Sequence, residues 1–262
     1  MTTITPVTHS RHAVMRWRRN GSYAFAADRA VIPLVGAELA NAALVFPIAC
    51  IQQGEGFVPA AVLGLEPNRN FFVAEDGRWL GGYVPAALRG YPFALGRTED
   101  GQQLLCVNEA SGLVTDGPEG ERFFEADGTP SAAVRPVMDF LTKVEQNRAA
   151  TAASCAALQA RNLIEPWLIA LKSDQGERKI EGLFRVNEAA LDALDDEAFL
   201  SLRKSGALPL AFAQLLSMQQ LRILGELARA RAPHTQQMKF GKDLALSMLE
   251  GDTIKFDFEK MR

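Results

Sequence analysis

DGRWLGGYVPAALRGYPF, the stretch from residue 76 to residue 93, limits the possible folds more than any other part of the chain. It begins with Asp76-Gly77 between two short apolar runs. Asp-Gly in that position is a strong β-hairpin signal, because glycine adopts the positive φ that the turn requires. The rest of the stretch interleaves one Trp, two Tyr and one Phe with two Arg and two Pro. It therefore predicts an antiparallel hairpin, followed by a segment with a special packing or binding role.

Short β-branched and aromatic runs extend on both sides of this stretch. Strands are predicted at residues 31–35, 44–48, 58–65, 70–73, 104–107, 122–124, 163–171 and 183–186. A second Asp-Gly pair, Asp127-Gly128, predicts a second turn. Because such turns join neighbouring antiparallel strands, we expect a mostly antiparallel β-sheet built largely from the first half of the chain.

Helical spacing of apolar residues begins just after the second turn. Thr129 suits the N-cap and Pro130 the first turn of a helix that continues to about Arg161, a length of roughly 45 Å. Asn187 and Asp195 are predicted to cap two short helices, and a single further helix follows them. The predicted fold class is α+β: a mostly antiparallel β-sheet with one long helix and a C-terminal helical subdomain.

Changes in composition and in hydrophobic period divide the chain into four predicted segments. These are a basic flexible arm at residues 1–22, an α+β core at 23–186 with the long helix near 130–161, a helical subdomain packed on the core at 187–231, and a C-terminal tail with a short helix and a strand at 232–262. The tail strand is expected near residues 254–258, where apolar and charged residues alternate.

The composition is that of an ordinary globular protein. With 262 residues, 48% of them hydrophobic, the chain can bury a substantial core. Its net charge of −3 provides no general attraction to nucleic acid or to anionic lipid. The longest apolar run, residues 42–51, is about half of the ~20 residues that span a bilayer. We therefore expect no transmembrane segment, no signal peptide and a cytoplasmic location, with export by a leaderless route left open.

Motifs for catalysis, metal binding or cofactor binding are lacking in the sequence. His9, His12 and His234 all fall in the predicted arm or tail, and the three cysteines are far apart without a CxxC pair. There is no HExxH, GxSxG or P-loop motif. The basic residues between 203 and 231 lack the clear basic face of a DNA-reading helix. No catalytic residue, metal, cofactor or nucleic-acid partner is therefore predicted.

Aromatic and arginine side chains provide the candidate site. The candidates for ligand or partner binding are Arg78, Trp79, Tyr83, Arg89, Tyr91, Phe93 and Trp167. Aromatic rings beside arginines can form a concave platform for a peptide, a sugar or an aromatic ligand. Alternatively the rings pack in the core while the arginines form structural ion pairs, and this interpretation comes first because aromatic residues dominate cores. Both interpretations stay open at this point.

Many short motifs of the chain match those of a family of bacterial proteins. They are Trp17, Glu38, Asn70 and Phe124, and the runs at residues 23–26, 33–34, 46–47, 62–65, 76–79, 83–86, 88–89, 91–93, 111–113, 127–128, 165–167, 185–186 and 205–209. By these motifs the chain resembles the SapC family along about residues 17–225. This family is distinct from the transporter permease of the same name.

The resemblance implies a role rather than a reaction. The family takes its name from a gene cluster for a bacterial surface layer, and relatives are often encoded beside outer-membrane receptors and flavin-dependent halogenase-like proteins. We therefore expect an accessory or binding protein of a cell-envelope system, with an envelope protein as partner or a peptide or aromatic ligand. The alternative is an enzyme or enzyme subunit acting on a peptide or aromatic metabolite, with Glu38 or Glu165 as the acid–base group.

Overall fold

The computed structural model describes residues 4–173, 176–230 and 253–255. The strands are β1 (Ile4–Pro6), β2 (Arg16–Trp17), β3 (Val31–Pro33), β4 (Ile48–Gln53), β5 (Gly56–Val62), β6 (Phe93–Arg97), β7 (Gln103–Asn108), β8 (Val114–Thr115), β9 (Glu121–Arg122), β10 (Ile164–Pro166), β11 (Ile169–Ser173), β12 (Gly176–Glu181), β13 (Phe184–Val186) and β14 (Thr253–Lys255). The helices are α1 (His9–His12), α2 (Leu39–Ala42), α3 (Ala86–Arg89), α4 (Arg135–Gln159), α5 (Glu188–Asp192), α6 (Asp196–Lys204), α7 (Ala207–Ser217) and α8 (Leu221–Ala230). The α+β prediction, with antiparallel sheets, one long helix and helices towards the C-terminus, is confirmed.

The chain divides into two compact units. The first unit contains the residues up to Tyr23 and those from Ala86 to Asn147. The second contains the residues from Ala24 to Pro85 and those from Arg148 onward. One boundary falls within α4, and another falls within the aromatic and arginine-rich stretch at 76–93. The division of that stretch decides which candidate residues can share a site.

Two three-stranded sheets form the first unit, with strand orders β1-β7-β6 and β8-β2-β9. Residues 4–17, which the sequence assigns to a flexible arm, instead supply β1, α1 and β2. β1 pairs with β7, and β2 pairs with both β8 and β9. Arg11 and His12 of α1 both bind the carboxylate of Glu109, at 2.6 and 3.1 Å. The difference arises because backbone pairing and ion pairing hold this segment, and because Val7, Met15 and Trp17 pack in the core of the unit.

The core of the first unit is mainly aromatic. It is built from the buried residues Trp17, Phe93, Val107, Phe123 and Val134. The ring of Trp17 meets the ring of Phe93 edge to face, with 4.8 Å between centroids. Edge-to-face pairs of this kind add about 0.5–1.5 kcal/mol to the area that they bury. This contact ties β2 to the start of β6.

The long helix α4 begins later than the sequence indicates. It was expected from Thr129-Pro130, but its first residue is Arg135. Thr129, the expected N-cap, belongs instead to the second Asp-Gly turn. Its backbone N–H and its hydroxyl both donate to the side chain of Asp127, at 2.9 and 2.7 Å. Ser131 accepts a hydrogen bond from the backbone N–H of Val134 at 3.2 Å, just before the helix begins.

The second unit contains a five-stranded antiparallel sheet of order β10-β13-β4-β5-β3. Its central hairpin joins β4 to β5 through two residues, and Gly54 there has a φ of +60°. A separate sheet has the order β11-β12-β14, in which β14 runs parallel to β12. β14 overlaps the tail strand predicted near 254–258. The rest of the predicted tail lies outside the described residues.

The helices of the second unit follow the predicted caps. The side chain of Asn187 accepts from the N–H of Ala190, and that of Asp195 accepts from the N–H of Ala198. The single helix expected after them is divided into α7, a 3-10 turn at Met218–Gln220, and α8. In the part of the chain that the structure describes, every helix is too short or too polar to cross a membrane.

Candidate functional site

A cavity of about 350 Å³ lies within the first unit. The residues after β2, the end of α3, the start of β6 and the first turns of α4 form its walls. They contribute Trp17, Arg19, Asn20, Tyr23, Leu88, Arg89, Gly90, Tyr91, Phe93, Ala133, Pro136, Val137 and Phe140. Its volume is near the lower end of the range of ~300–1,000 Å³ that is typical of small-molecule sites. The predicted candidates Arg89, Tyr91 and Phe93 thus come together in one concave site.

The apolar wall of the cavity includes Trp17, of which only 3% is exposed. Its indole N–H has no hydrogen-bond acceptor among the described residues. A buried donor left in this state costs roughly 1–3 kcal/mol, so native structures usually satisfy it with protein, water or ligand. Its neighbour Phe93 lines the same wall and is also buried. The wall therefore presents a large apolar surface, and the unsatisfied N–H of Trp17 is buried rather than exposed to the cavity.

Two arginines give the cavity its charge. The guanidinium of Arg89 lies over the ring of Phe140, with 5.0 Å between its carbon and the ring centroid. Arg19 is exposed at the cavity, and within the described residues it makes no ion pair. None of the described lining residues is acidic. The described lining residues thus include two cationic side chains and no carboxylate.

A tight turn positions Arg89 and Tyr91. The backbone N–H of Phe93 donates to the carbonyl of Gly90 at 2.7 Å, directly after α3 ends. A Cβ at Gly90 would lie 2.8 Å from the Leu141 side chain, so only glycine fits here without displacing that leucine. The side-chain amide of Asn108 donates to the Tyr91 hydroxyl, at the long distance of 3.5 Å. Packing of the turn against α4 thus fixes where both candidate side chains emerge.

The candidates before Pro85 belong to the second unit. Arg78 pairs with the exposed Asp76 at 2.7 Å, and its hydrogen bond holds the pKa of that carboxyl below the ordinary value. Trp79 stacks on Phe72 with 5.8 Å between ring centroids. Its indole N–H donates to the carbonyl of Tyr83 at 2.7 Å. Trp79 is thus half-buried against another ring, and Arg78 forms an exposed ion pair within its own turn.

The two carboxylates considered for acid–base chemistry also lie in the second unit. Glu38 is buried, and it accepts hydrogen bonds from the Tyr83 hydroxyl at 2.9 Å and from the backbone N–H of Val35 at 3.1 Å. The second hydrogen bond caps the short 3-10 turn at Gly36–Glu38. Glu165 pairs with Arg185 at 2.7 Å. Both carboxylates therefore have partners that account for their position.

The last candidate, Trp167, is buried in the second unit. Only 3% of the residue is exposed, and its backbone N–H donates to the carbonyl of Leu183 at 2.8 Å. Pro166, just before it, belongs to β10, which pairs with β13. Trp167 thus packs in the core directly after the paired strand β10, which agrees with the packing interpretation of this side chain.

Sequence reasoning missed the part of the cavity that precedes residue 24. Arg19, Asn20 and Tyr23 were assigned to the arm or to its junction, yet they line the cavity. A signal was available, because Trp17 begins a short run with two arginines, an asparagine and then a tyrosine. For metals, no three His, Cys, Asp or Glu side chains of the described chain gather in a way that could hold an ion.

Comparison with known protein families supports the resemblance. The SapC family profile matches residues 7–224. The chain belongs to the SapC family. No curated protein and no solved structure matches it. The matched range of this SapC chain includes parts of both units and every residue that lines the cavity.

Proposed function

We propose that this SapC-family protein is an accessory binding protein of a bacterial cell-envelope system. It would serve either a surface layer or outer-membrane receptor-linked uptake, and it would recognise its partner or ligand through the cavity of the first unit. The observation that carries the proposal is the meeting of Arg89, Tyr91 and Phe93 with Trp17 and Arg19 around one concave space. The envelope context comes from the family resemblance.

The chemistry of the lining residues supports binding more than catalysis. The described lining side chains offer guanidinium, phenol and amide groups for hydrogen bonding and aromatic rings for apolar contact. Carboxylates, imidazoles and thiols, the groups that most often move protons or attack substrates, are not among these described lining residues. The arrangement resembles a recognition pocket, in which a few polar groups orient a ligand against an apolar wall.

The test is affinity purification of the tagged protein from its native host, with mass spectrometry of the proteins retained. The wild type should retain an envelope receptor or a surface-layer component. The variant Arg89→Ala should lose that component, because the cavity loses a charge and the guanidinium–ring contact with Phe140. Tyr91→Phe, which removes one hydroxyl only, should weaken the capture less.

Arg97→Ala is the matched control. Arg97 is, like Arg89, an exposed arginine of the same unit; it pairs with Glu145 at 2.8 Å and does not line the cavity. It should leave the capture unchanged. Equal capture by wild type and Arg89→Ala would overturn the role of the cavity. Turnover of a peptide or aromatic substrate by the purified protein, abolished by Arg89→Ala, would replace the binding proposal with the enzyme alternative.

A further inference from the structure

We propose that Asn20 is a site of spontaneous covalent modification, where the side-chain amide is lost through a cyclic imide formed with the peptide nitrogen of Gly21. The product is aspartate or isoaspartate at a position that lines the cavity of the first unit. The modification does not depend on the function proposed above. Three observations support it: the residue that follows Asn20, the state of the two reacting groups, and the space around Gly21.

Asn20 is the only asparagine of the chain that is followed by glycine. The cyclic imide forms when the nitrogen of the next peptide attacks the side-chain carbon Cγ of asparagine, and a side chain on the next residue obstructs this approach. Glycine has no Cβ and adopts a wider range of backbone conformations than other residues. Asn20 is therefore the asparagine of this chain at which the ring can close most easily.

Both reacting groups are accessible in the folded protein. Gly21 is exposed, and among the described residues its peptide N–H donates no hydrogen bond. The Asn20 side chain accepts one long hydrogen bond, from the backbone N–H of Ser22 at 3.4 Å, and donates none to the described residues. This bond folds the side chain over the Asn20–Gly21 peptide, whose nitrogen is the attacking group. Few contacts therefore have to break before the ring closes.

The fold does not require glycine at position 21. The φ of Gly21 lies outside the left-handed region, and a Cβ built there would meet nothing within 4 Å. By contrast, a Cβ at Gly90 of the same unit would lie 2.8 Å from the Leu141 side chain. The substitution Gly21→Ala should therefore keep the fold while it hinders the attack on Asn20. It provides a variant that separates the reactivity from the structure.

The reaction balances with water as its only co-reactant. The Gly21 nitrogen forms a bond to Cγ of Asn20, the bond from Cγ to the side-chain nitrogen breaks, and that nitrogen leaves as ammonia with the proton that the peptide gives up. Water then adds to one of the two imide carbonyls and opens the ring. Opening on one side restores the ordinary backbone with aspartate. Opening on the other side gives isoaspartate, in which the chain continues through the side-chain carbonyl.

The product changes the polar part of the cavity lining. Asn20 and Arg19 both line the cavity, and within the described residues Arg19 makes no ion pair. A neutral amide, which donates and accepts, becomes a carboxylate, which only accepts, next to a guanidinium, which only donates. The new carboxylate can pair with Arg19 and remove that arginine from partner recognition. This consequence, unlike the modification itself, rests on the proposed function.

Peptide mapping by mass spectrometry, after the purified folded protein has stood at mildly alkaline pH, tests the modification. Asn20 should be converted to a mixture of aspartate and isoaspartate, faster as the pH rises, because the peptide nitrogen attacks after losing its proton. Asn70 is the internal control. It accepts a hydrogen bond of the same kind, from the backbone N–H of Phe72 at 2.8 Å, but it is buried and followed by Phe71. We expect Asn20 to react at least about tenfold faster than Asn70.

Gly21→Ala is the matched variant. It should slow the conversion of Asn20 about tenfold or more and leave the far-UV circular dichroism unchanged. Equal rates at Asn20 and Asn70 overturn the proposal, and so does a rate at Asn20 that Gly21→Ala, in a folded protein, leaves as it is in the wild type.

Partner capture separates the modification from its consequence. Asn20→Asp introduces the charge of the product and should retain less partner than the wild type. Gly21→Ala keeps the amide, and because Gly21 does not line the cavity, this variant should retain as much as the wild type. Conversion of Asn20 together with full capture by Asn20→Asp would support the modification and refute its effect on recognition. If Asn20 is not converted, the modification is refuted, and loss of capture by Arg89→Ala would still support the proposed function.

Discussion

Substitution of Gln214 by leucine should strongly destabilise the second unit, although the two side chains are similar in size. Gln214 is fully buried on α7. Its carbonyl oxygen accepts from the backbone N–H of Val186 in β13 at 2.9 Å, and its amide donates to the backbone carbonyl of Ile48 in β4 at 3.1 Å. The side chain therefore bridges two neighbouring strands at a place where their own ladder is absent, since β13 and β4 pair only at Phe184 and Cys50.

The size of the effect follows from the two backbone groups that leucine leaves without a partner. Each buried and unsatisfied group costs about 1–3 kcal/mol, which gives a loss of about 2–6 kcal/mol for the pair. The extra apolar burial of leucine recovers part of this loss. We therefore expect a net decrease in the free energy of unfolding of about 2–4 kcal/mol, a large part of the ~5–15 kcal/mol of an average domain.

Urea unfolding followed by tryptophan fluorescence provides the measurement. Trp79 and Trp167 report on the second unit and Trp17 on the first, so a two-step transition can be assigned by tryptophan-to-phenylalanine variants. Gln219→Leu makes the same chemical change at an exposed position and should alter stability by less than about 0.5 kcal/mol. The reasoning is refuted if Gln214→Leu is as small in effect, or if the amide of Val186 exchanges no faster than in the wild type.

Three further predictions each concern the surroundings of one residue. Gly64→Ala should lower the melting temperature sharply, because its Cβ would lie 1.7 Å from the backbone oxygen of Arg69; an unchanged melting curve contradicts this. The hydrogen bond from Arg11 lowers the pKa of Glu109, so the stability that this carboxylate contributes is present above the ordinary pKa of about 4.3 and is lost as the pH falls through the lower folded value. Urea titrations should therefore show that the difference in the free energy of unfolding between the wild type and Glu109→Gln becomes smaller in acid. A difference that does not change with pH refutes this prediction. Burial raises the pKa of Cys155 to about 12, so iodoacetamide at neutral pH should label it only after unfolding, as peptide mass mapping can show.

Local signals predicted the turns and helix caps of this fold well but not all of its strands, because only Ile48 of the run at 44–48 lies in a strand and the run at 70–73 forms only an isolated bridge at Val73. The Asp-Gly turns and the caps at Asn187 and Asp195 act through hydrogen bonds within a few residues, which a sequence pattern displays directly. The start of α4 was misplaced because Thr129 had two local partners available, and the turn at Asp127 competes for it. The local sequence is compatible with Thr129 as a helix N-cap and with Thr129 bonded to Asp127 in the turn. It does not show which of the two has the lower free energy.

The pairing of the first residues could not be predicted in the same way. β1 pairs with β7 about a hundred residues along the chain, with Thr5 opposite Val107. The ion pair of Arg11 with Glu109 spans a similar separation. The apolar side chains of residues 4–17 follow no regular period that would reveal such partners, and backbone groups supply the pairing. The sequence therefore predicted only part of the cavity lining. Arg19 and its neighbours line the cavity because the pairing of the preceding strands β1 and β2 places them there.

A comparison of two tryptophans explains why aromatic density alone did not identify the site. Trp79 and Trp17 both pack edge-on or stacked against phenylalanines, so their apolar contacts are alike. Their polar atoms differ. The N–H of Trp79 donates to Tyr83 within its own unit, whereas the N–H of Trp17 has no acceptor in the described chain and belongs to a residue that lines a cavity. Because a folded core rarely leaves such a donor unsatisfied, the hydrogen bonding of the indole N–H separates two tryptophans whose ring contacts alone look the same.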